Sequence, residues 1–116
     1  NEIVCRKSDT MYNLARTLLA KRVPLHGIGF QMHINTECKR VMWKKQTREP
    51  GGHDLSDDEY FASMRNNIRR FTELGLEVWI TEMSVDVDPT KPSEQQLDRQ
   101  AEIYGRVFDV CREGRR

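Results

Sequence analysis

One carboxylate lies at the point where a predicted buried strand ends and polar residues begin. Residues 76–81 are mostly β-branched or aromatic, the pattern of a strand buried on both faces in a parallel sheet, and Glu82 follows them directly. In α/β sheets, catalytic side chains lie at the C-terminal ends of the strands. Glu82 is therefore a candidate catalytic residue, although a glutamate at this position could also simply begin a solvated loop.

A second strand-like segment, at about residues 26–33, also ends in polar side chains. With a period of two, Gly29, Gln31 and His33 share one face of that strand, and the apolar residues between them share the other. A helical pattern separates the two segments, which predicts a βαβ crossover with parallel strands. We therefore expect Gln31, His33 and Glu82 to meet at the same edge of a sheet.

Three segments carry signals for the start of a helix. The Ser-Asp pair at 8–9 is a suitable N-cap, and capping boxes of the Ser-x-x-Glu/Gln type begin at Ser56 and Ser93. The first helix is predicted to end near residues 21–22, before Pro24, and the second at Gly75. Polar loops are predicted at about 34–55 and 83–92.

Apolar residues at helical spacing predict which side of each helix faces the sheet. These residues are Met11, Leu14, Ala15, Leu18 and Leu19 in the first helix; Phe61, Met64, Ile68, Phe71 and Leu74 in the second; and Leu97, Ala101, Tyr104, Val107, Phe108 and Cys111 in the third. The predicted fold class is α/β, with helices packed on a parallel sheet.

The composition excludes several classes of function. The 116 residues carry 19 basic and 18 acidic side chains, a net charge of +1 that predicts no nucleic-acid partner. No apolar run reaches the roughly 18 residues of a membrane helix, so no membrane partner is expected. No His, Cys and Asp residues have zinc-site spacing, and neither a metal nor a cofactor is predicted. The disulfide state of Cys5, Cys38 and Cys111 stays open.

The two strand segments closely resemble the sixth and seventh strands of the family 10 glycoside hydrolases. The matching stretches are GIGFQMH at 27–33 and LGLEVWITEM at 74–83, and the resemblance extends over nearly all of the chain. The family consists of endo-β-1,4-xylanases built on a (β/α)8 TIM barrel, which needs about 250 residues. The resemblance implies that residues 1–116 form part of a single barrel, from helix five through helix seven, truncated at both ends.

The resemblance also implies roles for individual residues. Glu82, which follows Thr81 as in the family, corresponds to the nucleophile of a retaining glycosidase, a mechanism that needs a second carboxyl group about 5.5 Å away. That acid/base belongs to an Asn-Glu motif after strand four and lies outside this chain. Gln31 and His33 correspond to residues that line the −1 sugar site. Ser84 stands where the family usually has Asp, so His33 is expected to be neutral more often here.

Further expectations concern the substrate and the setting of the protein. Trp43 lies in the loop after the first strand and could stack on a sugar ring or simply pack the loop down. The resemblance implies xylan or a xylo-oligosaccharide as substrate, a monomeric full-length enzyme and a secreted, extracellular or periplasmic location. The alternatives are another TIM-barrel β-glycosidase, or a non-catalytic carbohydrate-binding fragment in which Glu82 only contacts sugar.

Overall fold

A parallel strand pair connected by a helix lies at the centre of the fold. The computed structural model describes residues 2–39 and 55–113. Its elements, in chain order, are α1 (Arg6–Ala20), β1 (Gly27–Asn35), α2 (Asp57–Glu73), β2 (Glu77–Asp86) and α3 (Glu94–Glu113). β1 and β2 pair in parallel across α2, which confirms the predicted βαβ crossover.

Both strands are longer than the sequence pattern predicts. β1 continues to Asn35 and β2 to Asp86, so Glu82 lies inside its strand rather than just beyond its end. The predicted start of the loop at residue 83 was wrong, because β2 continues to Asp86. The later residues of β2 have polar side chains on one side, so their pattern resembles a loop. Residues such as Ser84 and Asp86 interrupt the apolar pattern while the backbone continues to pair with β1.

The predicted boundaries of α2 and α3 agree well with the structure. Glu59 N donates to Ser56 Oγ (3.2 Å) and Gln96 N donates to Ser93 Oγ (3.1 Å), which confirms both capping boxes. Gly75 follows α2 with φ +86°, the left-handed conformation that favours glycine after a helix.

The start of α1 differs from the prediction. The helix begins at Arg6 with Cys5 as its N-cap, so Ser8-Asp9 lies in the first turn and is not the cap. The Ser8 hydroxyl accepts from Cys5 N (2.9 Å) and donates to Ile3 O (2.7 Å). Ser8 is therefore the third helical residue of a capping box, a position that Glu or Gln usually occupies. Its hydroxyl hydrogen-bonds backbone groups at the start of the helix, as an N-cap serine would, so in sequence it resembles an N-cap.

The helices bury one face of the strand pair. This core contains Phe30, Met32, Ile34 and Val85 from the strands, Phe61, Met64 and Phe71 from α2, and Ile103, Val107 and Val110 from α3. The ring of Phe71 meets Tyr12 of α1 and Phe30 of β1 edge-on, each with ring centroids 5.5 Å apart. Phe71 therefore joins two helices to the sheet, as the sequence pattern predicts for α2.

Two of the predicted apolar faces need correction. On α3, Phe108 is 68% exposed and Leu97 is 45% exposed, although both were expected to face the sheet. The buried residues recur at helical spacing as Ile103, Val107 and Val110. A neighbouring residue is rotated by about 100° around the axis, so Phe108 points outward. On α1, Leu14 is likewise 58% exposed.

The opposite face of the strand pair is mostly polar, with Trp79 exposed on it, and contains an irregular register. Phe30 pairs with Ile80 but Gln31 pairs with Glu82, so Thr81 is an extra residue in β2. Thr81 lies beside Gly29, and Glu82 contacts Gln31 and His33, so both consecutive side chains lie on this face. Such a bulge is uncommon in parallel pairing and changes where the following side chains point.

The Thr81 side chain closely fills the space beside the bulge. Its hydroxyl donates to the carbonyl of Phe30 (3.2 Å), at the point where the register shifts. A Cβ atom added to Gly29 would lie 2.6 Å from Thr81 Cγ2, closer than such atoms approach one another. Gly29 is therefore required because the Thr81 methyl group occupies the space of a side chain.

The two glycines at 75 and 105 should respond oppositely to alanine. Gly105→Ala in α3 should increase the free energy of unfolding by about 0.5–1 kcal/mol, since a Cβ atom there meets nothing within 4 Å. Gly75→Ala should decrease it by about 1–2 kcal/mol, because its φ of +86° is unfavourable for an L side chain. Urea unfolding of a complete protein that contains this chain measures both, and changes of the same sign would contradict the assignment.

The contact between Gly29 and Thr81 predicts a coupled effect. Gly29→Ala should decrease the free energy of unfolding by about 1–3 kcal/mol through overpacking. In a Thr81→Ser background, which keeps the hydroxyl and removes Cγ2, the cost should fall by at least about 0.5 kcal/mol. Thr81→Val keeps both branches and is the matched control, in which the full cost should remain. Urea unfolding of a complete protein that contains this chain measures the cost of Gly29→Ala in each background, and equal costs in all three would disprove the contact.

Candidate active site

His33, Glu82 and Ser84 form a hydrogen-bonded row across the strand pair. Nε2 of His33 lies 3.1 Å from Oε2 of Glu82, and Nδ1 lies 2.8 Å from Oγ of Ser84. The register explains this row, because His33 stands opposite Ser84 while Glu82 precedes Ser84 by two residues on the same face. Sequence reasoning placed these three residues together, and the structure brings them together.

Gln31 contacts the other oxygen of the same carboxylate. Its Nε2 donates to Oε1 of Glu82 at 3.4 Å, a long hydrogen bond. The Glu82 side chain is still 54% exposed and that of His33 is 32% exposed. The carboxylate is thus oriented from one side and open on the other, as a group that acts on a bound molecule must be.

Two polar residues of α3 that the sequence analysis missed hold the ends of both strands. Gln100 Nε2 donates to the carbonyl of Val85 (2.7 Å), next to Ser84 in β2. Arg99 donates to the carbonyl of Thr36 (3.0 Å), just after β1, and to Asp57 Oδ2 (2.7 Å) at the start of α2. In sequence these side chains resemble an ordinary solvated helix surface, so no local signal indicated their function.

The thiol of Cys38 is packed near the same end of β1. Cys38 is only 7% exposed, and burial together with the Asp57 carboxylate raises the pKa of its thiol to about 11. A thiol in that state is protonated at neutral pH and unreactive. Cys5, Cys38 and Cys111 form no disulfide bond with one another.

Some predicted residues lie elsewhere. Trp43 lies in segment 40–54, outside the described residues. His26 is exposed just before β1. Within residues 2–39 and 55–113, no group of three or more His, Cys, Asp and Glu side chains is suited to hold a metal ion. The helices of that part are all too short or too polar to span a membrane.

Three proteins named as xylanases are similar to this chain. The crystal structure of native xylanase 10B from Thermotoga maritima matches with a TM-score of 0.72 at 35% identity, over 95% of this chain and 28% of that chain. Endo-1,4-beta-xylanase B of Thermotoga neapolitana is 36% identical over 95% of this chain and 26% of its own length. Beta-1,4-xylanase of Dictyoglomus thermophilum is 30% identical over 91% and 27%, respectively.

These matches show an α/β fold shared with a xylanase structure, and the chain spans about a quarter of the length of each relative. The model of the family described as glycosyl hydrolase family 10 matches residues 1–116. The resemblance of the two strand motifs is thereby confirmed, and the chain belongs to glycosyl hydrolase family 10.

Proposed function

We propose that this chain is part of the catalytic barrel of a retaining endo-β-1,4-xylanase, with Glu82 as its nucleophile. The observation that carries the proposal is the Glu82 carboxylate, held on the polar face of a parallel strand pair by Gln31 and His33. The family membership and the xylanase names of the relatives support xylan or a xylo-oligosaccharide as substrate.

In the proposed mechanism, a carboxylate oxygen of Glu82 attacks the anomeric carbon and forms a glycosyl-enzyme. A second carboxylic acid, supplied by another part of the barrel, protonates the departing sugar oxygen. Water then attacks the glycosyl-enzyme, with that second group acting as base, so the configuration at the anomeric carbon is retained. Because the bond from Gln31 to Oε1 is the longer one, at 3.4 Å against 3.1 Å for His33, Oε1 is the oxygen more available for attack.

The proposal places the chain within a larger barrel, as helices five to seven with strands six and seven. A two-stranded sheet leaves unpaired edges and is at best marginally stable, so the remaining strands are needed to close the site and to supply the second carboxyl group. We expect the complete enzyme to be monomeric. Because its substrate would be a cell-wall polysaccharide, we propose a secreted, extracellular or periplasmic location.

Replacing Glu82 tests the proposal in a complete barrel that contains this chain. Glu82→Ala should lower the rate of xylan hydrolysis by at least about 1,000-fold, since the residue that forms the covalent bond is lost. Added azide should restore turnover and yield a xylosyl azide of the opposite anomeric configuration, because the small anion occupies the space of the lost carboxylate. Glu77→Ala, an exposed carboxylate at the other end of β2, is the matched control and should keep activity.

Three outcomes would contradict the proposal. Inverted products from the unmodified barrel would exclude a retaining mechanism. A faster reaction with glucosides than with xylosides would favour another barrel β-glycosidase. Binding of xylan without hydrolysis would favour the non-catalytic alternative, in which Glu82 only contacts sugar.

The 116-residue chain by itself should neither unfold cooperatively nor hydrolyse xylan.

A further inference from the structure

The imidazole of His33 is held at both ring nitrogens by groups of different character. Nε2 faces the Glu82 carboxylate at 3.1 Å, and Nδ1 faces the Ser84 hydroxyl at 2.8 Å. Within the described residues, Glu82 is the one ionisable group that forms a hydrogen bond or ion pair with His33. The hydrogen-bond partner of Nδ1 is therefore a neutral hydroxyl, whereas the partner of Nε2 is a carboxylate.

The direction of each hydrogen bond follows from the donors and acceptors available. An ionised carboxylate only accepts hydrogen bonds, so Nε2 of His33 must carry the hydrogen in its contact with Glu82. In the neutral imidazole Nδ1 then has a lone pair, and the Ser84 hydroxyl must be the donor. In the imidazolium both nitrogens carry hydrogens, and the same hydroxyl can rotate and accept.

We infer that Ser84 is a positioning residue whose hydroxyl keeps the Nε2–H of His33 directed at Glu82 whether the imidazole is neutral or protonated. The inference rests on the proposed function, in which Glu82 is an ionised catalytic carboxylate. In the imidazolium the second hydrogen is on Nδ1, on the side of the ring away from Glu82. The hydrogen bond that orients the nucleophile is thus independent of that proton.

A hydroxyl suits this position better than either a purely accepting or an apolar group. An acceptor would favour hydrogen on Nδ1, and in the neutral imidazole this would turn the Nε2 lone pair toward the carboxylate. An apolar side chain would leave Nδ1 without a partner, so the contact with Glu82 alone would favour the Nε2–H tautomer and part of the Nδ1–H tautomer would be populated. Only a group that can donate and accept satisfies both protonation states, and threonine is the nearest substitute for serine in this respect.

The tautomer of His33 can be measured directly in a complete barrel labelled with 15N on histidine. A long-range 1H–15N spectrum of the neutral imidazole should show the Nε2–H tautomer in the unmodified protein and in Ser84→Thr. Ser84→Ala should show a mixture of tautomers, and its rate of glycosyl-enzyme formation should fall by about 5- to 10-fold, the effect of one lost hydrogen bond. The exposed His26 is the internal control and should not change.

An Nδ1–H tautomer in the unmodified protein would overturn the inference, and so would an unchanged Nε2–H tautomer in Ser84→Ala. A loss of rate in Ser84→Thr as large as in Ser84→Ala would also overturn it, because a merely structural role predicts no rescue by a hydroxyl. The spectrum requires no substrate. Failure of the unmodified barrel to hydrolyse xylan would therefore disprove the proposed function, while the tautomer still decides the function of Ser84.

Discussion

The site depends on one extra residue in β2 at the point where it pairs with β1. Before Thr81, the even-numbered residues of β2 face the helices, and Ile80 packs against the core. Uninterrupted alternation would turn Glu82 toward the same apolar core, where an unpaired carboxylate would cost several kcal/mol. The register shift instead places Glu82 beside His33 and lets Met83 and Val85 continue the apolar face.

The apolar face stabilises the strand pair and so fixes the geometry of the polar face. Two strands alone are marginally stable, and here the helices bury Phe30, Met32 and Val85 almost completely. The side chains of the site contribute little to that stability because they are partly exposed. They are oriented because the backbone beneath them is rigid, and α3 adds direct hydrogen bonds to the strand ends through Arg99 and Gln100.

The parts of the fold that the sequence predicts are those with local chemical signals. The capping boxes and Gly75 depend on spacing within one helix or its end. The βαβ crossover and the meeting of His33 with Glu82 follow from the order of the elements and from the polar residues toward the ends of both strands. The bulge depends on how β2 fits against β1, and neither strand alone encodes it. Exposure of Phe108 likewise depends on how α3 is rotated against the sheet. The match to whole-family motifs, including Thr81-Glu82, indicates a candidate site without explaining its geometry.

The Glu82 carboxylate is oriented at one oxygen and only weakly bound at the other. Strong hydrogen bonds to both oxygens would stabilise the free carboxylate and raise the barrier to attack, because a bond must be lost as the new one forms. Here the contact from Gln31 is long, at 3.4 Å, and half of the side chain is open to solvent. The shorter contact from His33 fixes the other oxygen. If Glu82 is the nucleophile, His33 supplies orientation that persists during attack, whereas Gln31 can release Oε1 at little energetic cost.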